Sequence, residues 1–471
     1  MNRRYKSDAS FFQFAAPHIQ SGTLAAILFV TACLLKVCAI SLSHSVWWEG
    51  NSIGVNLSAR LQSACNRLSL TLLILVLLLF SASVCLYKFL PDTAHIAFMV
   101  RRGLFHPSRG NPLHLKDGEL LPRIRCKCVR AGLYTLTVSA QESVTVDTIS
   151  KAAPSISAAL NHRYQRYAVV ATDTDTAFNA VTFRLDDVQI DRSLTITDVE
   201  QLRPSTPTLL KVDTATNIDL TTSGSMLIAG KTRSGKTSGV LALLLQVLLA
   251  GPDCYDSKVV IVDPKQAELS RLPHTITLDE NGEAISVITA LKGFASTITY
   301  RQKVLNDYSE KTGNAVHWWD INMHPCFLFI DEYVALRAIL PKKNTKDSDY
   351  SLETFDGILK RIVTMGASAG AFCIISIAEA SVQEGGLPSM LRSAMSTRIL
   401  FRPSKAEGLL LWDKEKIENL PERIYRPGDS WFSSTDGLHD LVSFVHFLNL
   451  EISIYRELGN ALESYYSNRN S

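Results

Sequence analysis

The chain has 471 residues, of which 46% are hydrophobic, 20% charged and 8% aromatic. This length suits two or three domains with sizeable cores, and this composition excludes a disordered or collagen-like chain. The net charge of +3, from 48 Lys and Arg against 45 Asp and Glu, excludes a protein that coats nucleic acid by bulk charge and leaves only a local patch for such contacts.

The nine cysteines are scattered through apolar runs, and their spacing indicates neither a disulfide framework nor a zinc site. Cys126 and Cys128 form the close pair, and we expect both to be ordinary strand residues. A reducing compartment is therefore predicted for most of the chain.

Two apolar stretches predict that residues 1–90 form a membrane anchor. Residues 68–87 contain no charge, and twenty helical residues match a hydrocarbon core of about 30 Å. Residues 22–42 are similarly apolar except for Lys36, which we expect to snorkel towards an interface. The alternatives are a buried core helix and a secretory signal peptide. The absence of a polar face and of a convincing cleavage site favours two membrane spans.

Cationic residues flank this anchor on one side. They precede the first span as Arg3, Arg4 and Lys6 and follow the second as Lys88, Arg101 and Arg102. The intervening loop carries Arg60 and Arg67, with Trp47 and Trp48 as candidate interfacial anchors. The positive-inside rule then predicts a multi-pass protein of the cell membrane, with both termini and everything after about residue 90 in the cytoplasm.

Residues 91–207 are predicted to form a small α+β domain. Strand-like segments occur at 132–140, 167–172 and 180–185, with a helix-like stretch at 144–160. The domain holds no motif that indicates chemistry, which favours a spacer or assembly role. The polar segment QLRPSTP at 201–207 is typical of a linker and sets the boundary.

Short apolar strands alternate with helices after residue 225, as in a parallel sheet covered on both faces. Such strands are predicted at 226–230, 258–263, 326–331, 372–378 and 397–401. We expect a motor domain over residues 208–450 and a short tail over 451–471.

The sequence GKTRSGKT at 230–237 matches the phosphate-binding pattern G-x-x-x-x-G-K-[ST] and lies between a strand and a helix. Gly230 and Gly235 allow the backbone to curl around phosphates at a helix N-terminus. Lys236 would reach the β- and γ-phosphates, and Thr237 would bind Mg²⁺. A chance glycine-rich turn would lack this context. The predicted ATP-binding residues are Gly230, Lys231, Thr232, Arg233, Ser234, Gly235, Lys236, Thr237 and Ser238.

The other half of this site is predicted at Asp331 and Glu332, directly after an apolar strand. Asp331 would complete the Mg²⁺ shell, and Glu332 would act as general base on the attacking water. A capping acid is the alternative for such a pair. The predicted catalytic residues are Lys236, Asp331 and Glu332, and an additional strand ending in Asp263 and Lys265 is typical of motor ATPases.

These segments together resemble the FtsK/SpoIIIE family of hexameric DNA-pumping ATPases. The matching sequences are MLIAGKTRSGKTSG, KVVIVDPKQAELSRLPH, CFLFIDEYVAL and IVTMGASAGAFCIIS. The likeness covers about residues 220–450 and implies an α/β, RecA-like P-loop NTPase that forms a homo-hexameric ring around DNA. An arrangement with two short spans and no DNA-reading tail resembles the coupling proteins of conjugative elements more than the cell-division translocases. This resemblance implies relaxase and secretion-channel partners.

Some positions depart from the family pattern. Ala378, Glu379 and Ala380 stand where a Gln-Arg-Pro sequence is usual, and Ala367 replaces a basic residue. The missing glutamine would weaken the coupling of hydrolysis to movement.

Several further residues have open roles. Arg392 and Arg398 are candidates for contacting a neighbour's nucleotide, with surface or ion-paired arginines as the alternative. Lys265 has an open role. The aromatic residues His317, Trp318 and Trp319 could stack on bases but more often fill a core or subunit contact.

The sequence therefore predicts a membrane-anchored, ATP-driven DNA translocase of the conjugative coupling type, with ATP and Mg²⁺ as cofactors. A secretion ATPase with protein cargo and a nucleotide-binding recruitment platform with little hydrolysis remain as alternatives. Single- and double-stranded DNA are both compatible with this prediction.

Overall fold

The computed structural model describes residues 4–8, 16–43, 52–106, 110–343, 350–378, 388–418, 420, 425–437 and 439–469. The positions Arg3, Trp47, Trp48, Glu379 and Ala380 lie outside the described residues. The chain divides into two compact units, Met1–Gln189 and Ile190–Ser471, and each is described by itself.

The first unit begins with two long apolar helices, α1 (Pro17–Ser43) and α2 (Ser52–Phe89). Both are long and apolar enough to cross a membrane, over Pro17–Leu42 and Val55–Phe89. Large apolar side chains such as Leu34 and Leu77 are more than half exposed, as expected for surfaces that face lipid. The two candidate membrane spans expected from the sequence are thus confirmed as helices, and α2 begins well before residue 68.

Small side chains line the contact between α1 and α2. Ala25, Ala32 and Ala39 are buried at a spacing of seven residues, which lets the two backbones approach closely. The hydroxyl of Ser69 donates to the carbonyl of Ala32 at 3.0 Å. Lys36, which we expect to snorkel, donates through Nζ to Oδ1 of Asn66 on α2 at 2.8 Å, because the antiparallel pairing brings the amide within its reach.

The rest of the first unit is a small α+β fold. Its elements in chain order are α3 (Asp92–Phe105), β1 (Ile124–Arg130), β2 (Leu133–Ser139), α4 (Val146–Ser150), α5 (Ala153–Ala159), β3 (Tyr167–Thr174) and β4 (Ala180–Asp187). The sheet is antiparallel with strand order β1-β2-β4-β3. Its core joins apolar residues of α3, such as Ile96 and Val100, to Leu136 and Phe183 of the sheet.

Strand β1 and the helices α4 and α5 include positions for which the sequence made specific predictions. Cys126 and Cys128 lie on β1 as ordinary strand residues, as expected. The single helix expected over 144–160 is instead two short helices, because Pro154 lies in the first turn of α5, where its missing N–H is tolerated but where it would interrupt a continuous helix.

The described residues of the second unit form twelve strands, eight of them in one large sheet and four in two two-stranded sheets. Its strands are β5 (Thr195–Ile196), β6 (Leu209–Lys211), β7 (Asn217–Asp219), β8 (Met226–Gly230), β9 (Val259–Val262), β10 (Thr275–Ile276), β11 (Cys326–Ile330), β12 (Ala371–Ile377), β13 (Thr397–Phe401), β14 (Asp429–Ser434), β15 (Ser443–His446) and β16 (Asn449–Leu450). Its helices are α6 (Lys236–Ala250), α7 (Ile285–Thr312), α8 (Tyr333–Ile339), α9 (Leu352–Met365), α10 (Ser389–Ala394), α11 (Lys405–Leu411), α12 (Lys414–Ile417) and α13 (Ile454–Arg469).

The strand order of the large sheet is β10-β9-β11-β12-β8-β13-β14-β15. The strands from β10 to β13 are parallel, and β14 and β15 are antiparallel additions. Every residue of β8, β11 and β12 is buried, which explains their continuous apolar sequences. The order confirms the expected α/β, RecA-like fold, but the strand that lies between β8 and β11 is β12, whereas the strand before Asp263, β9, lies on the other side of β11.

Residues 190–207 belong to the second unit, whereas we expected a linker at 201–207. Strand β5 pairs with β16, and Arg426 forms an ion pair with Asp191 at 3.2 Å. Arg203 donates to the carbonyl of Leu249 at 2.5 Å. These contacts are made with residues far along the chain, so local composition could not indicate them.

The segment expected as a short tail, 451–471, contains the packed helix α13. Leu458, Leu462 and Tyr465 are at most 2% exposed and share the core that includes α6. Their spacing of four and three residues places them on one face of a helix. The C-terminal helix is therefore part of the folded unit.

Candidate functional site

The loop between β8 and α6 adopts a conformation that requires glycine at two positions. Gly230 has a φ of 158° and Gly235 a φ of 91°. A Cβ atom on Gly235 would lie 2.6 Å from the backbone nitrogen of Gly428, and one on Gly230 would lie 2.8 Å from the Cβ of Phe401. The loop is therefore held at the start of α6, where the backbone N–H groups of a helix N-terminus attract anions.

A second loop, at residues 425–429, packs against this phosphate loop. The N–H of Gly428 donates to the carbonyl of Ser234 at 2.9 Å. Asp429 accepts from the N–H of Arg426 at 2.8 Å and contacts Nδ1 of His446 at 2.5 Å. Sequence reasoning missed this support, although the Arg-Pro-Gly-Asp sequence at 426–429 is a turn signal that could have indicated it.

Two polar groups in the phosphate loop are buried in a way that fits an anionic ligand. The hydroxyl of Ser234 is buried and has no hydrogen-bond partner among the described residues. Lys236 is 8% exposed, and burial lowers its pKa, against the opposite influence of Glu332 and Asp331. A buried ammonium needs negative charge close by, so the phosphates of a nucleotide suit this position.

Asp331 and Glu332 follow β11, and both interact electrostatically with the Lys236 ammonium. Burial raises the pKa of Asp331, and the Lys236 ammonium opposes that change. Glu332 has a φ of 46°, in the left-handed region. Such a conformation costs a non-glycine residue about 1–3 kcal/mol and is found more often at functional sites than elsewhere.

The carboxylate of Glu332 has a partner in the loop that follows the neighbouring strand, β9. Oε1 of Glu332 lies 3.2 Å from Nζ of Lys265, in the loop after β9. Asp263 fixes this loop, since its carboxylate accepts from the N–H groups of Lys265, Ala267 and Ser270 at 2.9–3.1 Å. Sequence reasoning left Lys265 without a role and gave Asp263 no positioning function. The Asx-turn signal of an Asp-Pro sequence could have suggested the second.

The two arginines considered for a neighbour's nucleotide are engaged within the chain. Arg392 donates to the carbonyl of Leu410 at 2.7 Å, and Arg398 donates to that of Leu411 at 2.6 Å. Burial lowers the pKa of Arg398. In this conformation both side chains fasten the end of α11.

The aromatic group at residues 317–319 is divided between core and surface. Trp318 is fully buried and belongs to the main core, so it cannot stack on a base. His317 stacks on Trp319, with ring centroids 4.5 Å apart. Ala378 directly follows β12, and Ala367 begins a short 3-10 helix before that strand.

Comparison with known proteins finds one matching family model. The model described as the FtsK/SpoIIIE family matches residues 189–318, which include the phosphate loop and β9.

Two curated relatives match part of the chain. The DNA translocase FtsK of Helicobacter pylori strain J99 is 27% identical over 222 residues, which cover 45% of this chain and 24% of the relative. The FtsK domain-containing protein YdcQ of Bacillus subtilis strain 168 is 29% identical over 154 residues, covering 32% and 28%. The chain thus matches about a quarter of the length of each relative.

Solved structures give looser similarities. The monomer form of the pCW3 conjugation coupling protein TcpA with ATPγS has 15% identity and a TM-score of 0.45, covering 74% of this chain and 93% of that one. EssC, ATPases 2 and 3, from Geobacillus thermodenitrificans has 16% identity and a TM-score of 0.40, covering 59% and 52%.

Proposed function

We propose, from the FtsK/SpoIIIE domain that this chain carries, that the protein is a membrane-anchored, ATP-driven DNA translocase. The observation that carries this proposal is the position of Lys236, which is buried in the phosphate loop beside both Asp331 and Glu332. A cation and two acids placed beyond the carboxyl ends of parallel strands of one sheet are what phosphoryl transfer to water requires.

The residues of the phosphate loop would hold the nucleotide. The backbone N–H groups from Gly230 to Ser238 would surround the phosphates, and the Lys236 ammonium would neutralise part of their charge. The unpartnered hydroxyl of Ser234 is available to a phosphate oxygen. Glycine is needed at position 235 of this loop because a Cβ there would lie 2.6 Å from the backbone nitrogen of Gly428.

The acids would carry the chemistry. Glu332 would accept a proton from the attacking water, and its backbone conformation fixes the direction of its side chain. Thr237 and Asp331 would hold Mg²⁺, which supplies charge neutralisation for the phosphates when bound. Among the described residues no group of three or more His, Cys, Asp or Glu side chains forms a metal site, so this ion would depend on the nucleotide for its other ligands.

The proposal extends to the assembly and its place in the cell. We infer a homo-hexameric ring, fastened by α1 and α2 as a multi-pass protein with its motor in the cytoplasm. The DNA contacts would be mainly electrostatic and would weaken with salt. The combination of two candidate spans, a small domain and a motor supports the finer role of a conjugative coupling protein, which passes DNA with its relaxase to a secretion channel.

The test is ATP turnover by the full chain in lipid nanodiscs, with and without DNA. We expect DNA to stimulate turnover, the stimulation to decline with rising salt, and Lys236→Ala to abolish turnover. The control is Lys414→Ala, which removes an exposed lysine on α12 and should leave turnover unchanged.

Other outcomes would contradict parts of the proposal. Turnover that persists in Lys236→Ala would refute the site. ATP turnover that is unchanged by DNA but is stimulated by a secreted protein would favour a secretion ATPase. Nucleotide binding with negligible turnover in every condition would favour a recruitment platform.

A further inference from the structure

A cavity of about 410 Å³ is lined by residues of the first unit. It is bounded by the beginning of α1, the end of α2, and the helices α3 and α5. In the hairpin of α1 and α2 these two ends lie together, since the hydroxyl of Ser83 donates to the carbonyl of His18 at 2.6 Å. The cavity is therefore at the ends of both candidate membrane spans, on the side of the small α+β fold.

Much of the cavity wall is apolar. Ile19, Phe98, Met99 and Ala159 contribute to it. A small inorganic ion would gain nothing from these side chains, whereas a ligand with a hydrocarbon part would bury apolar surface against them.

The polar part of the wall contains a buried group without a partner. His95 is 5% exposed, and its Nε2 atom has no hydrogen-bond partner among the described residues. The Nδ1 atom of His18 is also unpartnered, and the two rings lie 5.2 Å apart. Buried polar atoms are nearly always hydrogen-bonded in folded proteins, so two such atoms at one cavity indicate a polar ligand.

The charges in the wall favour an anion. Arg102 and Arg163 line the cavity, and no described carboxylate does. Arg163 is fixed in place, since its Nη2 atom lies 2.8 Å from Asp92 and 2.6 Å from the hydroxyl of Tyr164. A guanidinium held in this way can meet a phosphate oxygen without losing further side-chain freedom.

We propose that this cavity binds an anionic phospholipid of the cytoplasmic leaflet. The phosphate lies against His18 and His95 and meets the guanidinium groups of Arg102 and Arg163. The first part of an acyl chain lies along Phe98 and Met99. The proposal rests on the membrane anchoring given under the proposed function, because only an inserted hairpin brings the cavity to the depth of lipid headgroups.

The experiment uses the full chain purified in detergent and measured by native mass spectrometry. Phosphatidylglycerol, phosphatidylethanolamine and inorganic phosphate are added separately at equal concentration, and the bound ligand is counted. We expect one phosphatidylglycerol per chain to be retained about tenfold more strongly than phosphatidylethanolamine. Inorganic phosphate at equal concentration should not displace it.

Two variants locate the site. His95→Leu removes the unpartnered nitrogen, and Met99→Trp fills the cavity while keeping every polar group. Each should weaken retention of phosphatidylglycerol about tenfold. The matched controls on β1 are Lys127→Gln and Val129→Trp, at exposed positions of the same unit outside the cavity, and both should retain the lipid like the unaltered chain. The melting temperature of each variant checks that it is folded.

Three results would overturn the lipid site. They are equal retention of the two phospholipids, displacement by inorganic phosphate, and unchanged retention in a folded Met99→Trp variant. Flotation of the chain with liposomes separates this failure from a failure of the anchoring. A chain that does not float refutes the anchor and the lipid site together, whereas one that floats without preferring the anionic lipid refutes the lipid site alone.

Discussion

Nζ of Lys265 lies 3.2 Å from Oε1 of Glu332, so the carboxylate proposed as general base is paired with a lysine. The two residues follow the adjacent strands β9 and β11. The side chain of Lys265 is 50% exposed and that of Glu332 is 21% exposed, so the pair is partly in contact with solvent. Such an ion pair contributes about 0–1 kcal/mol, which is weak enough to break when a nucleotide and water compete for the carboxylate.

The first prediction concerns this pair. Lys265→Met should raise ATP turnover in the absence of DNA about two- to fivefold, because Glu332 no longer has to leave its partner before it accepts a proton. Steady-state turnover measures this effect. The control is Lys258→Met, which removes an ion pair with Asp256 at 3.0 Å just before β9 and should not change the rate. A fall in turnover with Lys265→Met would show that this lysine assists the reaction instead.

The second prediction concerns the backbone conformation of the phosphate loop. Gly235→Ala should abolish nucleotide binding, because the new Cβ would lie 2.6 Å from the nitrogen of Gly428 at a φ of 91°. Titration with a fluorescent nucleotide measures the affinity. Gly293→Ala on α7 is the matched control, since a Cβ there meets nothing within 4 Å, and alanine is favoured in a helix. Normal affinity in Gly235→Ala would refute the loop as the phosphate site.

The parts of the fold that the sequence could predict are the elements whose structure is determined by their own residues. The strands β8, β11 and β12 are buried on both faces and therefore have continuous apolar sequences. The phosphate loop has a fixed glycine spacing because two of its positions tolerate no side chain. The two candidate membrane spans follow from length and apolar composition alone.

The parts that could not be predicted depend on contacts distant in sequence. The N–H of Gly428 reaches the carbonyl of Ser234, almost two hundred residues earlier, and nothing near either residue indicates the other. The pairing of β5 with β16 likewise joins both ends of the motor unit. The left-handed backbone of Glu332 is imposed by its surroundings against the preference of glutamate, so the position of its carboxylate follows only from the fold.

The third prediction tests the C-terminal helix. Leu462→Ala should lower the free energy of unfolding by about 2–5 kcal/mol, because Leu462 is 1% exposed in the core that includes α6. Since α6 begins at Lys236, the variant should also weaken nucleotide binding. Denaturant titration followed by tryptophan fluorescence measures the stability. Asn460→Ala, at an exposed position on the same helix, should change it by less than about 0.5 kcal/mol. An equal effect of the two variants would mean that α13 is not packed.

The fourth prediction concerns Arg301, which is fully buried on α7. Its guanidinium contacts Asp253 at 2.5 Å and donates to the carbonyls of His324 and Ala369 at 2.7 and 2.9 Å. These carbonyls lie two residues before β11 and β12 begin, so one side chain fastens the beginnings of the two strands that precede Asp331 and Ala378. Its loss would leave the Asp253 carboxylate buried and without its cation.

Arg301→Met should therefore lower the free energy of unfolding by about 3–5 kcal/mol, as expected when one member of a buried pair is removed. Arg301→Lys should restore only part of the loss, because an ammonium cannot reproduce the planar fork that contacts Asp253 and several backbone carbonyls at once. The control is Arg361→Met on α9, an exposed arginine whose described contact is a 2.7 Å hydrogen bond to Thr299, which should cost less than about 0.5 kcal/mol. Full recovery with lysine would show that charge alone, and not the geometry of the guanidinium, holds the strands.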